Sequence, residues 1–207
     1  MIFDSGQHVL FIGDSITDCG RRDAAAPYGD GYMSLVRAFV TAGRPDLHLT
    51  WTNRGIGGDT VRHLAERWER DVVELRPDWL SVKIGINDVW RTFAGLPDEA
   101  VPIDEYERTL RQLLRRAVDA TGCRLILADP YVIEADREEP QRAETARYAA
   151  VVAGLAEEFG ARHVRTQEAF DRVLEHSTGS DWADDRIHPN LPGHAVIARA
   201  FLAVIGD

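Results

Sequence analysis

Two cysteines in 207 residues, Cys19 and Cys123, are too few for a disulfide framework. Cys123 opens an apolar run and reads as a small core residue, while Cys19, four residues after Ser15, carries no implied thiol chemistry. No apolar stretch approaches the ~20 residues that cross a bilayer. No basic-then-apolar leader precedes the first apolar run, which sets an expectation of cytoplasmic residence. Positive charge is scarce as well. With 24 Lys and Arg against 34 Asp and Glu the net charge is −10, which argues against nucleic acid or a membrane as partner. Neither His-Glu-x-x-His nor Cys-x-x-Cys occurs, so neither a metal nor any other cofactor is expected. Linkers, repeats and low-complexity segments are missing too, and residues 1–207 read as a single domain.

What is present is an alternation of strand and helix signals. His8 to Ile12, His48 to Asn53, Trp79 to Ile84 and Arg124 to Asp129 are short apolar or β-branched runs ending at polar or glycine residues, and Ala161 to Thr166 is a weaker fifth. Between them, Thr60 to Leu75 places Val61, Leu64, Ala65, Trp68, Val72 and Leu75 on one helical face, with Glu and Arg elsewhere. A capping-box pattern at Asp104 and Glu107 precedes a stripe of Tyr106, Leu110, Leu113, Leu114 and Ala117. Further helices are expected over 32–42, 141–158 and 193–205, and 93–102 reads as a loop. Such alternation builds an α/β fold, a parallel sheet with helices on both faces, whose sites lie beyond the carboxyl ends of the strands. Ser15, the Gly57-Gly58 pair and Asn87 each follow a different expected strand, so three segments should meet at one edge.

These segments and a fourth hold the parts of an activated hydroxyl. Gly13-Asp14-Ser15 follows the first strand. Asp185-Arg186-Ile187-His188-Pro189 sets a carboxylate three residues before an imidazole, with Asp184 a competitor one residue further away. Of the seven histidines only His188 combines that carboxylate with a following proline; the others sit in or beside expected strands and helices. Asn53 to Thr60 makes a tight turn in which Asp59 or Thr60 caps a helix, and its glycine N–H groups are also suited to bind an oxyanion. Asn87 offers a side-chain amide for the same purpose, or a local turn.

Taken in order, the four blocks resemble the SGNH hydrolases, the GDSL family of esterases and lipases, with Ser15, Gly58, Asn87 and His188 at its four named positions and Ile16 where the family motif has Leu. The resemblance implies a flavodoxin-like three-layer α/β/α fold with a five-stranded parallel sheet. It also implies a Ser15, His188, Asp185 triad, and an oxyanion hole from the Ser15 and Gly58 amides and the Asn87 side chain. Longer stretches, including Gly13 to Cys19, Arg76 to Trp79, Gly85 to Arg91 and Asp185 to Pro189, are similar to bacterial intracellular acetylxylan esterases. These deacetylate xylo-oligosaccharides and assemble into homo-oligomers. Gly57 to Leu64 is also similar to catalytic subunits of platelet-activating-factor acetylhydrolase.

The expected partner is therefore a small acetylated substrate. Asp14, Trp90, Arg91 and Tyr131 are candidate substrate contacts: the aromatic rings stack on a sugar or else fill core or a subunit interface, and Arg54 stays open between an ion pair and a substrate contact. Two alternatives stand beside this reading. One is a general short-chain acyl esterase or thioesterase; the other is a non-catalytic sugar-binding protein that keeps the fold.

Overall fold

A strand buried on both faces needs an apolar residue at nearly every position, and the first strand supplies them. In the computed structural model, which describes residues 1–206, β1 is His8–Gly13. Val9 and Phe11 enter one core, Leu10 and Ile12 the other. The elements that follow are α1 (Ser15–Asp18), α2 (Tyr32–Gly43), β2 (Thr50–Gly55), α3 (Val61–Trp68), β3 (Trp79–Lys83), α4 (Ile86–Phe93), α5 (Ile103–Thr121), β4 (Arg124–Ala128), α6 (Pro140–Glu158), β5 (Arg162–Val164), α7 (Thr166–Leu174) and α8 (Leu191–Ile205). All strand pairs are parallel, in the order β2-β1-β3-β4-β5. Helices α2, α7 and α8 contribute to the core with Phe11; α3, α5 and α6 contribute to the core with Ile12. This is the flavodoxin-like three-layer arrangement that the family resemblance implies.

The register fixes the working edge. Gly13 pairs with Gly55 of β2 and with Lys83 of β3, so three strands end level with one another. Ser15, Gly58 and Asn87 lie two to four residues beyond those ends. Between β1 and β3 the chain order reverses, which is where parallel sheets of this type open a crevice.

Several elements differ from expectation. The span 60–75 is not one helix: α3 ends at Trp68 and continues as a wider π-helical turn over Glu69–Val73. Within it Ala65 is exposed while Arg67 is buried, the reverse of the amphipathic reading. Helix α5 begins after Pro102 with no side-chain cap, so Asp104 lies inside the first turn instead of capping it. Helices α1, α4 and α7 are short, and the sequence pattern did not separate them from turns. Helix α4 starts at Gly85, whose φ of +126° and contacts with the Tyr106 hydroxyl and Pro130 leave no room for a side chain.

The tight approach of α1 to the β2 end gives a stability test. A Cβ at Gly55 would lie 2.7 Å from Asp18 Cα, against main chain that cannot yield. One at Gly57 would meet nothing nearer than Ser15 Cβ at 3.8 Å. Gly55→Ala is expected to cost about 1–3 kcal/mol, lowering the melting temperature by roughly 3–10 °C for a chain of this size, while Gly57→Ala changes it little. Equal melting temperatures for the two variants would contradict this packing.

Candidate active site

One turn of helix presents Ser15. Asp14 caps it, its Oδ1 accepting from Ile16 N–H at 3.0 Å, and the turn closes with Cys19 in the left-handed region. Ser15 is the first residue of that helix, where an N–H has no intrahelical acceptor. Its hydroxyl lies 2.9 Å from His188 Nε2, and His188 Nδ1 lies 2.6 Å from Asp185 Oδ2. The other oxygen of Asp185 accepts from the Ile187 and His188 N–H groups at 3.0 and 2.7 Å. Desolvation raises the Asp185 pKa, but these hydrogen bonds, the His188 ring first, outweigh it and hold the carboxyl below its ordinary value. Asp184 is exposed and makes no such bond.

The loop carrying His188 is pinned at several points. Ala183 and Pro189 form an isolated β-bridge, and Ile133 N–H donates to Arg186 O. Arg186 itself is held at φ +66°, its guanidinium anchored on Glu134 at 3.1 Å and Gln141 at 3.2 Å. Here Tyr131 departs from expectation. Its side chain is fully buried, packed on Phe170, and its hydroxyl donates to Ile187 O at 3.2 Å. A ring enclosed in the core cannot stack on a ligand; it supports the histidine loop. Asp14 is likewise fully buried and engaged as a cap, so it is no substrate contact either.

Across from Ser15, the 55–60 turn uses its two glycines differently. Gly57 N–H donates to Asp18 Oδ2 at 3.1 Å. Gly58, at φ +82°, donates to no acceptor among the described residues, so its N–H is free. Asn87 is in the first turn of α4, where its Nδ2 donates to Asp59 O at 3.0 Å. An amide nitrogen carries two hydrogens, so this bond orients the group and leaves one to donate. Arg91 reaches the same turn, donating to Gly58 O at 2.8 Å and pairing with Glu99. Trp90 is 38% exposed on the outer side of α4, with Phe93 and Leu96 also exposed nearby. Arg54 is half-buried, 4.0 Å from Asp71.

Cys19 is behind this site and is not a nucleophile. Its thiol donates to Ile16 O at 3.1 Å, and burial, with Asp30, Asp14 and Asp18 around it, pushes its pKa up to about 12. A surface depression of about 540 Å³, lined by Met1, Trp79, Arg124 and Phe159 among others, lies at the amino ends of the strands and does not include Ser15. Among the described residues no three His, Cys, Asp or Glu are grouped to hold a metal ion, and no helix is long and apolar enough to cross a membrane.

Residues 11–196 match the GDSL-like Lipase/Acylhydrolase family. The chain is 43% identical to an acetylxylan esterase from Geobacillus stearothermophilus, over all of this chain and 97% of the relative. A crystal structure of that esterase, Axe2, superposes with a TM-score of 0.96 at 42% identity, with the same coverage. An α/β hydrolase, LAE5, from the metagenome of Lake Arreo superposes at 0.95 with 43% identity, covering all of this chain and 98% of that one. Three catalytic mutants of Axe2, in which a serine, a histidine and an aspartate are replaced by alanine, match at 0.95. The last two positions lie three apart, the spacing of Asp185 and His188 here.

Two buried ionisable groups under the site were not anticipated. Lys83 ends β3 fully buried, its Nζ 4.4 Å from the Tyr131 ring centroid, and burial lowers its pKa against the pull of Asp14 and Asp129. The signal was a lysine inside the run Trp79 to Ile84. Asp88 follows Asn87, its Oδ1 accepting from Val61 N–H at 3.0 Å and its Oδ2 without a partner. Burial raises its pKa to about 7, against the Val61 hydrogen bond. An unfolded carboxyl titrates near ~3.9, so between those values the folded state keeps a proton that the unfolded state has released. Stability from this group is fully present below the lower value and lost as pH rises through the upper. Asp88→Asn keeps the acceptor without the charge. Its stability relative to wild type should therefore grow from mildly acidic to mildly alkaline pH in urea unfolding; parallel pH curves would refute the assignment.

Proposed function

The chain belongs to the GDSL-like lipase/acylhydrolase family and is a carboxylic ester hydrolase, and from that premise we propose that it removes acetyl groups from carbohydrate, acetylated xylo-oligosaccharides foremost. The observation that carries the reading is the unbroken hydrogen-bond chain from Ser15 Oγ through His188 to Asp185, at the sheet edge where the free Gly58 N–H and the Asn87 amide also lie. The catalytic mutants of Axe2 support the same three residue types.

Ser15 Oγ attacks the acetyl carbonyl carbon as its proton passes to His188 Nε2, and the carbonyl oxygen takes up the negative charge. The Ser15 and Gly58 N–H groups and Asn87 Nδ2 stabilise that charge more than they stabilise the neutral carbonyl, which is what lowers the barrier. Asp185 holds His188 with Nδ1 protonated and stabilises the imidazolium. His188 then gives the proton to the departing sugar oxygen, leaving acetyl on Ser15. Water then attacks the acetyl carbon, losing its proton to His188, which returns it to Ser15 Oγ as the acyl–oxygen bond breaks and acetate departs. Trp90, beside this site and exposed, is the surface we assign to the alcohol half of the substrate. We further propose cytoplasmic residence, in keeping with two free cysteines, and self-association, in keeping with Phe93 and Leu96 exposed on and just after α4.

Ser15→Ala and His188→Ala should each lower kcat by about 10⁴-fold or more while the protein stays folded, since the triad acts as a unit. Wild-type turnover by Ser15→Ala would end the reading. Asn87→Ala should lower kcat about 10²–10³-fold with a smaller effect on KM; a KM effect alone would make Asn87 a binding residue. In a chain-length series, kcat/KM should fall from acetyl to octanoyl esters. A steady climb, worth up to ~0.8 kcal/mol per methylene in an open apolar groove, would point to a lipase. Equal rates on acetylated xylo-oligosaccharides and simple acetyl esters would favour a general short-chain esterase.

A further inference from the structure

Arg67 is on the polar side of its helix by sequence pattern, yet its side chain is only 7% exposed. Its guanidinium binds two side-chain carboxylates and two backbone carbonyls. Nε and Nη2 lie 2.8 and 2.7 Å from Asp59 Oδ2, and Nη1 donates to Asp71 Oδ2 at 2.9 Å. Nη1 also donates to Arg54 O at 2.7 Å, and Nη2 to Gly13 O at 3.2 Å. The pair with Asp71, four residues along the same helix, would be enough for local stability. The other bonds go to the working edge of the sheet. Gly13 ends β1 two residues before Ser15, and Arg54 is the penultimate residue of β2. Asp59 directly follows Gly58, and its carbonyl is the acceptor that orients Asn87.

Every segment that carries an oxyanion donor is thus tied, directly or through Asp59, to one planar cation. We propose that Arg67 is a positioning residue that sets the spacing of the Ser15, Gly58 and Asn87 donors, an inference that rests on the oxyanion roles given above. Donors act only within a narrow distance of the developing charge, and displacement by about 1 Å can cost on the order of 10² in rate. Several donors in a fixed fork can hold two carbonyls and two carboxylates at once; the ammonium of lysine, a point charge on a flexible stem, cannot.

The test separates positioning from mere stability through kcat against KM, and through chemical rescue. Arg67→Lys should lower kcat roughly 10–100-fold on a nitrophenyl acetate while KM changes less than about threefold, with the fold intact by circular dichroism. Arg67→Ala should lose more, and millimolar guanidinium ion should restore several-fold activity to it while leaving wild type and Asn87→Ala unchanged. Should Arg67→Ala not fold, Asp59→Asn takes its place. It weakens the ion pair but keeps the carbonyl that holds Asn87, and it should show the same loss weighted to kcat. Wild-type kcat in Arg67→Lys and Asp59→Asn, with only a lowered melting temperature, would overturn the proposal, as would a loss confined to KM. The parent reading is tested apart. An active Ser15→Ala brings that reading down, whereas a dead Ser15→Ala beside an unimpaired Arg67→Lys removes only the role of Arg67.

Discussion

The hydrogen bond from Ser15 Oγ to His188 Nε2 joins residues 173 apart, and most of the fold is the apparatus for making it. Closing so long a loop in a flexible chain would cost several kcal/mol, growing only slowly with length. Here the cost is met by burial along the sheet, because Ser15 and His188 are both extensions of elements buried for other reasons. Ser15 extends β1, an inner strand paired with β2 on one side and β3 on the other. His188 rides on a loop bound to the Tyr131–Ile133 segment by the Tyr131 hydroxyl and the Ile133 N–H. That segment follows β4, so two strands two places apart in the sheet set the separation of serine and histidine.

The same geometry explains why so many polar groups are buried just beneath the surface. Odd-numbered positions of β3 face the core that holds Phe11, and there the strand carries Ser81 opposite Phe11 and Lys83 opposite Gly13. Lys83 is placed under the site with Asp14 and Asp129 as the nearest opposing charges, and the Tyr131 ring covers its ammonium. A cation buried this way is costly unless anions compensate it, and Asp14, the cap of the helix that presents Ser15, and Asp129 supply that opposing charge without a direct hydrogen bond to Nζ. Buried polarity and helix capping are therefore one arrangement here, with the proposed nucleophile at its upper end.

Much of this was legible in the sequence, for identifiable reasons. Strands buried on both faces leave continuous apolar runs, so β1, β3 and β4 could be bounded within a residue or so. The triad spacing and the glycine pair were legible because few residue types can do that chemistry, and they sat directly after strands. What stayed hidden is whatever depends on a partner far away in sequence. Tyr131 follows a strand and looks like a ligand platform, but its burial is decided by Phe170 and Ile187. Arg67 falls on the polar stripe of its helix, but the carbonyl ends of β1 and β2 draw it inward. Helix α4 was unreadable because eight residues carry too little periodicity, and its start is fixed by Gly85 under Tyr106.

Exposure divides the site into two halves with different demands. The His188 and Asp185 side chains are 57% and 54% exposed, whereas Asp14, Lys83 and Asp88 beneath Ser15 and Asn87 are sealed from water. In the proposed mechanism the carbonyl oxygen takes up its charge between this buried polar layer beneath Ser15 and Asn87 and a Gly58 N–H that is open to water. The alcohol leaves on the open side, beside His188. A bulky sugar can be accommodated there without remodelling the core, so selectivity for the alcohol must come from the rim. Trp90 is exposed on the helix that carries Asn87, and the Arg91 bond to Gly58 O ties that helix to the proposed oxyanion turn. With Trp90 assigned to the alcohol half as proposed, that contact shares a helix with the Asn87 donor, so a well-held sugar can improve kcat as well as KM.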